Sequence, residues 1–241
     1  MKYRILLLIF ISTARLTVLG QQFNKAINKD SLAEAIVKDL PIDKRQEFLT
    51  HYKSGNEQTK EFLLVMFSLP QSSKKQLIEN IKLNYSNIEV LIAEYAKLIP
   101  PNYTVAIEFN PVDKLISKSE SIDLNIRNKV DKVSIQDWNL TYNSTKLNEM
   151  LKLLGWNYEI LKKVKKLLTE ARCISIENNA VTEIGFARSG LGKYSYLIFD
   201  KNLTSRQIKE YNNKCSTIFY RKNIVLEYGG GAIGPQCFPD R

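Results

Sequence analysis

Residues 103–109 read YTVAIEF, and in this stretch an apolar side chain stands at every second position. Alternation with a period of two is typical of a β-strand that packs one face on a core and turns the other to solvent. The residues before Pro100 instead show helix signals and a period of about 3.6. This change predicts an α+β protein, in which a helical first half precedes a mainly antiparallel sheet with a few packed helices.

The stretch before this strand carries repeated helix-start signals. Ser73 with Gln76 is one of several pairs that fit a capping box, in which both side chains accept a backbone N–H. We expect five short helices, at residues 31–39, 43–53, 57–68, 73–84 and 87–99. The third contains the apolar run FLLVMF at residues 62–67, which predicts the most buried helix of this half. Residues 21–100 would then form a helical module, and residues 101–241 an α+β module.

Alternation and turn residues predict seven further strands. These are expected at residues 122–126, 133–140, 173–177, 181–188, 193–199, 215–221 and 224–228. Helices are predicted at residues 145–154 and 158–170, and a short helix begins after Thr204. The segment 193–199 has apolar residues on both faces, which indicates a central strand rather than an edge strand.

The first twenty residues have the pattern of a secretory signal peptide. Lys2 and Arg4 form a charged start, residues 5–11 are uninterruptedly apolar, and small residues precede Gln21. An alternative cleavage point follows Ala14. The apolar run is also too short to span a bilayer, which takes about 20 residues. We therefore predict a signal peptide at residues 1–20, no stable membrane insertion after cleavage, and a periplasmic or extracellular protein.

The composition and two glycine motifs argue against metal and cofactor chemistry. One histidine and three cysteines cannot supply a multi-histidine centre or a zinc site with two CxxC pairs. GGGAIG at residues 229–234 matches the letters of a dinucleotide fingerprint, but Pro235 follows and no helix can open there. Residues 187–193 come close to a phosphate-binding loop, yet a predicted strand follows where the helix should begin, so a hairpin loop is expected. We expect no metal, no cofactor and no specific nucleic-acid partner.

Three cysteines in an exported chain permit one disulfide and one free thiol. The predicted terminal hairpin returns the tail to the side of Cys215, and the glycine-rich segment after it is long enough for Cys237 to reach back. We predict the pair Cys215–Cys237, with Cys173–Cys237 as the alternative.

Carboxylates are the catalytic resource that this chain has in good supply. Glu108 and Asp123 occupy polar positions of neighbouring predicted strands, and Asp137 lies on the third. Two carboxyl groups of different pKa can flank a glycosidic bond as acid and as nucleophile or base. A second group of residues, around the glycine loop, is a candidate recognition patch that consists of Arg188, Lys193 and Tyr194.

The predicted helix at residues 158–170 is basic on one side and apolar on the other. Its basic side carries Lys162, Lys163, Lys165 and Lys166. Such a helix could make weak contact with an anionic surface, although a helix lying on a sheet with its lysines in water has the same pattern.

Two functional classes fit these patterns. The first is an exported soluble binding or interaction protein without catalytic chemistry, which we expect. The alternative is an exported hydrolase that uses carboxylates on a glycan or peptide. Acids gathered in one cleft, with one raised pKa, would favour the hydrolase, whereas acids scattered over the surface would favour the binding protein.

Overall fold

The structure is a computed structural model, and it describes residues 23–116, 118–230 and 234–239. The predicted signal peptide lies outside these residues. In chain order the helices are α1 (Lys29–Asp39), α2 (Ile42–Ser54), α3 (Glu57–Phe67), α4 (Lys74–Leu98), α5 (Thr145–Leu153), α6 (Tyr158–Glu170) and α7 (Ser205–Tyr211). The strands are β1 (Tyr103–Asn110), β2 (Ser121–Asn128), β3 (Ser134–Leu140), β4 (Ser175–Glu177), β5 (Thr182–Ser189), β6 (Gly192–Ile198), β7 (Thr217–Arg221) and β8 (Ile224–Gly229).

The predicted α+β class is confirmed. One eight-stranded sheet has the order β3-β2-β1-β4-β5-β6-β8-β7, and every pairing of neighbours is antiparallel. Each of the eight predicted strands is present, and β6 is a central strand as its two apolar faces indicated.

The helical half differs from the prediction in one element. The two helices expected at residues 73–84 and 87–99 are a single helix, α4, with a kink at Asn84. The predicted capping box of Ser73 and Gln76 does open this helix. Asn84 has non-helical backbone angles (φ −118°, ψ 17°), and its side-chain amide donates hydrogen bonds to the backbone and side-chain oxygens of Asn80 across this break. The described residues before Pro101 therefore form four helices, and the kink in the fourth lies at the predicted boundary between residues 73–84 and 87–99.

The buried apolar residues form two separate clusters. Helices α4, α5 and α6 pack on the sheet face that carries Val105 and Ile107. Tyr196 on β6 anchors α4 to this face, because its hydroxyl donates to the carbonyl of Leu77 at 2.7 Å. Helices α1, α2 and α3 enclose a smaller cluster of their own around Phe48. Helix α4 thus packs with the sheet rather than with the three helices before it.

The expectation that the third helix is the most buried of the helical half is wrong, because α3 has one buried residue and α4 has six. Within the apolar run at residues 62–67, Leu64 is completely buried, but Phe62 is 59% and Phe67 43% exposed. The reason is that α3 packs against α1 and α2, while α4 belongs to the core of the sheet. Phe67 is only partly covered, through the edge contact of its ring with Phe48 of α2, whose centroid lies 5.0 Å away.

The terminal segment is tied to the sheet as predicted. Cys215 and Cys237 form a disulfide bond, and the N–H of Phe238 donates to the carbonyl of Cys215 at 2.8 Å. Cys173 is a free, buried thiol. None of the helices in the described ranges combines the length and the apolar character that crossing a bilayer requires.

Candidate functional site

The sheet carries charged residues on the face opposite α4. In β1 the residues alternate between the two faces, so Glu108 points away from the side of Val105 and Ile107. Residues directly opposite each other in a sheet share a face. Glu108 is opposite Asp123 on one neighbouring strand and Ser175 on the other.

Glu108 is held by two cations from the β5–β6 hairpin. Arg188 donates from Nε to Oε1 of Glu108 at 2.6 Å, and Nζ of Lys193 lies 3.7 Å from Oε2. The Glu108 residue is only 8% exposed, so this pairing compensates the desolvation of its carboxylate.

A β-bulge brings Arg188 to this face. Glu183 and Arg188 are five positions apart, which in a regular strand places them on opposite faces. The register of β5 against β6 shifts between Gly185 and Ala187, so that Glu183 is opposite Leu197 and Arg188 is opposite Lys193. Both charged residues therefore share a face.

Lys193 is the centre of the arrangement. Its Nζ lies 3.2 Å from Oε1 of Glu183 and donates to Oγ of Ser175 at 3.2 Å, in addition to its contact with Glu108. Ser195 donates its hydroxyl to the same Glu183 oxygen at 3.1 Å. These contacts fix one cation between two carboxylates from different strands.

Glu177 and Glu227 flank this centre and have perturbed carboxyl groups. Burial raises the pKa of Glu227, and the nearby charge of Glu183 raises it further. Burial also raises the pKa of Glu177, although Arg127, with Nη2 at 3.5 Å from its Oε1, acts in the opposite direction. Glu177 and Glu227, whose raised pKa values disfavour the charged form, thus lie on either side of Glu183 in the strand order.

We call these residues the charged cluster. It consists of Glu108, Glu177, Glu183, Glu227, Arg127, Arg188 and Lys193. Acids outnumber bases in this cluster by one, whereas the whole chain has 35 bases against 25 acids and a formal charge of +10. Its formal charge, counted with all seven groups ionised, is therefore opposite in sign to that of the protein.

The structure separates the three predicted carboxylates. Glu108 belongs to the charged cluster, and Asp123 stands opposite it and accepts the backbone N–H of Asn139 at 2.8 Å. Asp137 lies on the other face, because a register shift in β3 sets it opposite the core residue Leu124. Asp137 lies on the third strand as expected, but its carboxylate is on the opposite face of the sheet from Glu108 and Asp123.

The predicted recognition patch also divides between the two faces. Arg188 and Lys193 belong to the charged cluster, but Tyr194 is fully buried on the core side. Its ring stacks on Tyr228 with centroids 4.5 Å apart and also contacts Phe238. Tyr194 is therefore a core residue and cannot contribute to a surface patch.

All four lysines on the basic side of α6 lie close to carboxylates of the same chain. Lys163 contacts Glu94 of α4 at 2.7 Å, and Lys165 contacts Glu120 at 2.5 Å. The other two lysines pair within the helix, as Lys162–Glu159 and Lys166–Glu170. These pairs reduce the free positive charge of the helix, and weak contact with an anionic surface stays a prediction.

Sequence reasoning missed Arg127, Glu177, Glu183 and Glu227. Each stands at a polar position within or at the end of a predicted strand, which is the available signal. Strand pairs that are distant in sequence, such as β1–β4 and β6–β8, bring them together.

The described residues contain no group of three or more His, Cys, Asp or Glu side chains arranged to hold a metal ion. Residues 187–193 form the end of the β5–β6 hairpin, as expected from their glycines, and Gly190 has a positive φ of 58°. Comparison with protein-family models, with curated proteins and with solved structures gave no match. The function must therefore be argued from the geometry.

Proposed function

We propose that this protein is an exported, non-catalytic binding protein that uses the charged cluster to recognise a ligand with a cationic group. The observation that carries the proposal is the surplus of carboxylate at Glu227. In the part of the chain that the structure describes, this side chain has no ion pair. Burial and the charge of its neighbour Glu183 raise its pKa, and the more weakly acting charge of Lys193 lowers it. An ammonium or guanidinium group that reached Glu227 would offset the cost of its desolvation and its repulsion from Glu183.

The other members of the cluster support a binding role. Glu108, Glu183, Arg188 and Lys193 are already paired with one another at 2.6–3.7 Å, so they form a fixed group of charges on the same face of the sheet as Glu227. A frame that is ordered before the ligand arrives lowers the entropic cost of binding.

The proposal predicts how binding depends on pH. The cationic ligand pairs with the ionised form of Glu227, and burial has raised the pKa of this group. At low pH the ligand must displace a proton, so affinity rises with pH until the group is ionised in the free protein.

Titration calorimetry with a tetralysine peptide tests the proposal. Glu227→Gln should weaken binding about tenfold or more, as expected for the loss of a charge-assisted hydrogen bond. Glu210→Gln is the matched control, because it removes the same charge from an exposed position on α7. Equal affinity of the wild type and the Glu227→Gln variant, or equal weakening by the control, would contradict recognition by the cluster.

Export is supported by two independent features. Residues 1–20 have the pattern of a signal peptide, and the chain carries a disulfide bond, which persists in oxidising compartments. We expect the mature chain to begin at Gln21. N-terminal sequencing of the protein from its native host measures this directly, and an intact Met1 in the cytoplasmic fraction would refute it.

The raised pKa values favour one second candidate, an exported hydrolase. Glu227 and Glu177 hold their protons more tightly than ordinary carboxyl groups, and Glu183 lies between them in the strand order. Hydrolysis of a glycosidic bond uses a protonated and an ionised carboxyl group side by side. Turnover of an oligosaccharide or peptide that Glu183→Gln and Glu227→Gln both abolish, and that Glu210→Gln retains, would favour catalysis over binding.

A further inference from the structure

A shallow cleft of about 370 Å³ lies beside the start of β1, and Arg127 of the charged cluster is one of its lining residues. It is formed where β1 begins, where β2 turns into β3, and where β4 turns into β5. The residues that line it are Thr104, Arg127, Asn128, Lys129, Lys132, Val133, Ser134 and Asn179. Three of these eight residues are basic and none is acidic.

The nearest acid in the turn is held by an amide. Asp131 accepts a hydrogen bond at Oδ2 from the side-chain amide of Asn128 at 2.8 Å. The other side-chain atom of Asn128, Oδ1, accepts the backbone N–H groups of Val130 and Asp131 at 2.9 and 3.3 Å. These bonds build the turn and keep it compact, so that its two lysines are presented from a fixed backbone.

The cations of the cleft are poorly compensated. Lys129 and Lys132 form no ion pair with any residue that the structure describes, and Arg127 has only its 3.5 Å contact with Glu177. Two ammonium groups and a partly engaged guanidinium, set against the one carboxylate of Asp131 in the same turn, leave a net positive charge on this part of the surface. A phosphate monoester carries about −1.5 to −2 charges at neutral pH and three acceptor oxygens, which matches this charge and donor set.

We infer that this cleft binds the phosphate group of a small phosphate monoester. Lys129, Lys132 and Arg127 provide the donors, and the amide of Asn179 and the hydroxyl of Ser134 are further polar groups of the lining. The volume is at the lower end of the range of about 300–1,000 Å³ that small-molecule sites have. The site is separate from the proposed ligand position at Glu227, and it shares only Arg127 with the charged cluster.

Amide chemical-shift titration of the whole chain with glycerol 3-phosphate tests the inference. Saturable shifts are expected for residues 127–134 and Asn179, and methyl sulfate, with a single charge, should bind at least several-fold more weakly. Lys129→Gln and Lys132→Gln should each weaken phosphate binding about fivefold or more, and the double variant should abolish it. Lys201→Gln, at an exposed lysine outside the cleft, is the matched control and should leave binding unchanged.

Three results would overturn the inference. They are the absence of saturable shifts in the wild type, shifts of equal size around the exposed lysines elsewhere, and equal weakening by Lys201→Gln. Both cleft lysines stand on an exposed turn, so their replacement should leave the fold intact, and an unchanged spectrum of the remaining residues verifies this. Binding of tetralysine to the Lys129→Gln and Lys132→Gln variants should persist, which separates failure of this site from failure of the charged cluster.

Discussion

Gly185 lies beneath the side chain of Lys193, and the charged cluster depends on its missing Cβ. A Cβ built at this position would stand 2.1 Å from Oγ of Ser175 and 2.8 Å from Cδ of Lys193. Any larger residue must therefore push the lysine stem away from Glu108 and Glu183. This requirement is steric, because the φ of Gly185 is outside the positive region that glycine alone favours.

We expect Gly185→Ala to destabilise the protein by about 1–3 kcal/mol, as overpacked sites do. Urea denaturation measures the change. Adding Ser175→Ala should recover part of the loss, because this second change removes the closest atom. If Gly185→Ala left the urea midpoint unaltered, the Lys193 side chain could move aside at no cost, and the missing Cβ of Gly185 would not be required.

Leu64 and Phe62 provide a matched pair of apolar residues on the same helix. Leu64→Ala should cost about 2–5 kcal/mol, because it removes a fully buried side chain and leaves a cavity. Phe62→Ala should change the free energy of unfolding by about 0.5 kcal/mol or less, because that ring is 59% exposed. Chemical denaturation compares both variants with the wild type, and similar losses at the two positions would contradict the packing of α3.

Helices α4 and α6 are joined by a carboxylate that accepts from two lysines. Glu94 contacts Lys97 at 2.6 Å within α4 and Lys163 at 2.7 Å on α6. The hydrogen bonds from Lys163 and Lys97 lower the pKa of Glu94 to about 2 from its usual 4.5. Because the folded pKa is depressed, the stabilisation is present above pH 4.5 and is lost as the pH falls toward 2.

Carbon-detected NMR titration of the Glu94 carboxyl group measures this effect. The midpoint should be near 2 in the wild type and should move toward 4.5 in Lys163→Met. Glu94→Gln should also show a smaller drop in melting temperature between pH 5 and pH 2. A midpoint that Lys163→Met leaves unchanged would mean that solvent already screens the contact between the two helices.

The sequence contained enough information for the strands but not for their arrangement around the site. Alternation is local, so β1 and β6 could be identified from their own residues. The positions of Asp137 and Arg188 depend on single-residue bulges in β3 and β5, which reverse a side chain from one face to the other. The sequence also did not show that α4 packs on the sheet rather than on α3, because apolar residues lie on both sides of α4.

The charged cluster also depends on the arrangement of the strands, which local sequence patterns do not show. Glu108 and Arg188 are 80 positions apart in the chain, and they meet because β4 pairs with both β1 and β5. The disulfide was predictable because Cys215 and Cys237 flank one hairpin, whose geometry returns the chain to its starting point. Local sequence patterns therefore predicted the disulfide, whereas the members of the charged cluster are brought together by the strand order.

The disulfide bond ties the terminal segment to the edge of the sheet, and its removal should affect the stability of the whole fold. The bond closes a loop with a sequence separation of 22, which corresponds to about 3 kcal/mol of lost unfolded-state entropy. The segment it holds also buries Phe238 against Tyr194 and Tyr228. Reduction would release the terminal segment, which covers the rings of Tyr194 and Tyr228.

We expect a reducing agent to lower the melting temperature of the wild type and of Cys173→Ala by the same amount, and to have no effect on Cys237→Ser. Cys173 should not react with a thiol reagent in the native state, because burial raises its pKa to about 12 and it is only 7% exposed. Thermal denaturation with and without reductant, combined with thiol counting, measures both effects. Loss of the reductant effect in Cys173→Ala would show that this cysteine participates in the bond. A difference in melting temperature between the wild type and Cys173→Ala without reductant would instead point to a packing role of Cys173 that is independent of the disulfide.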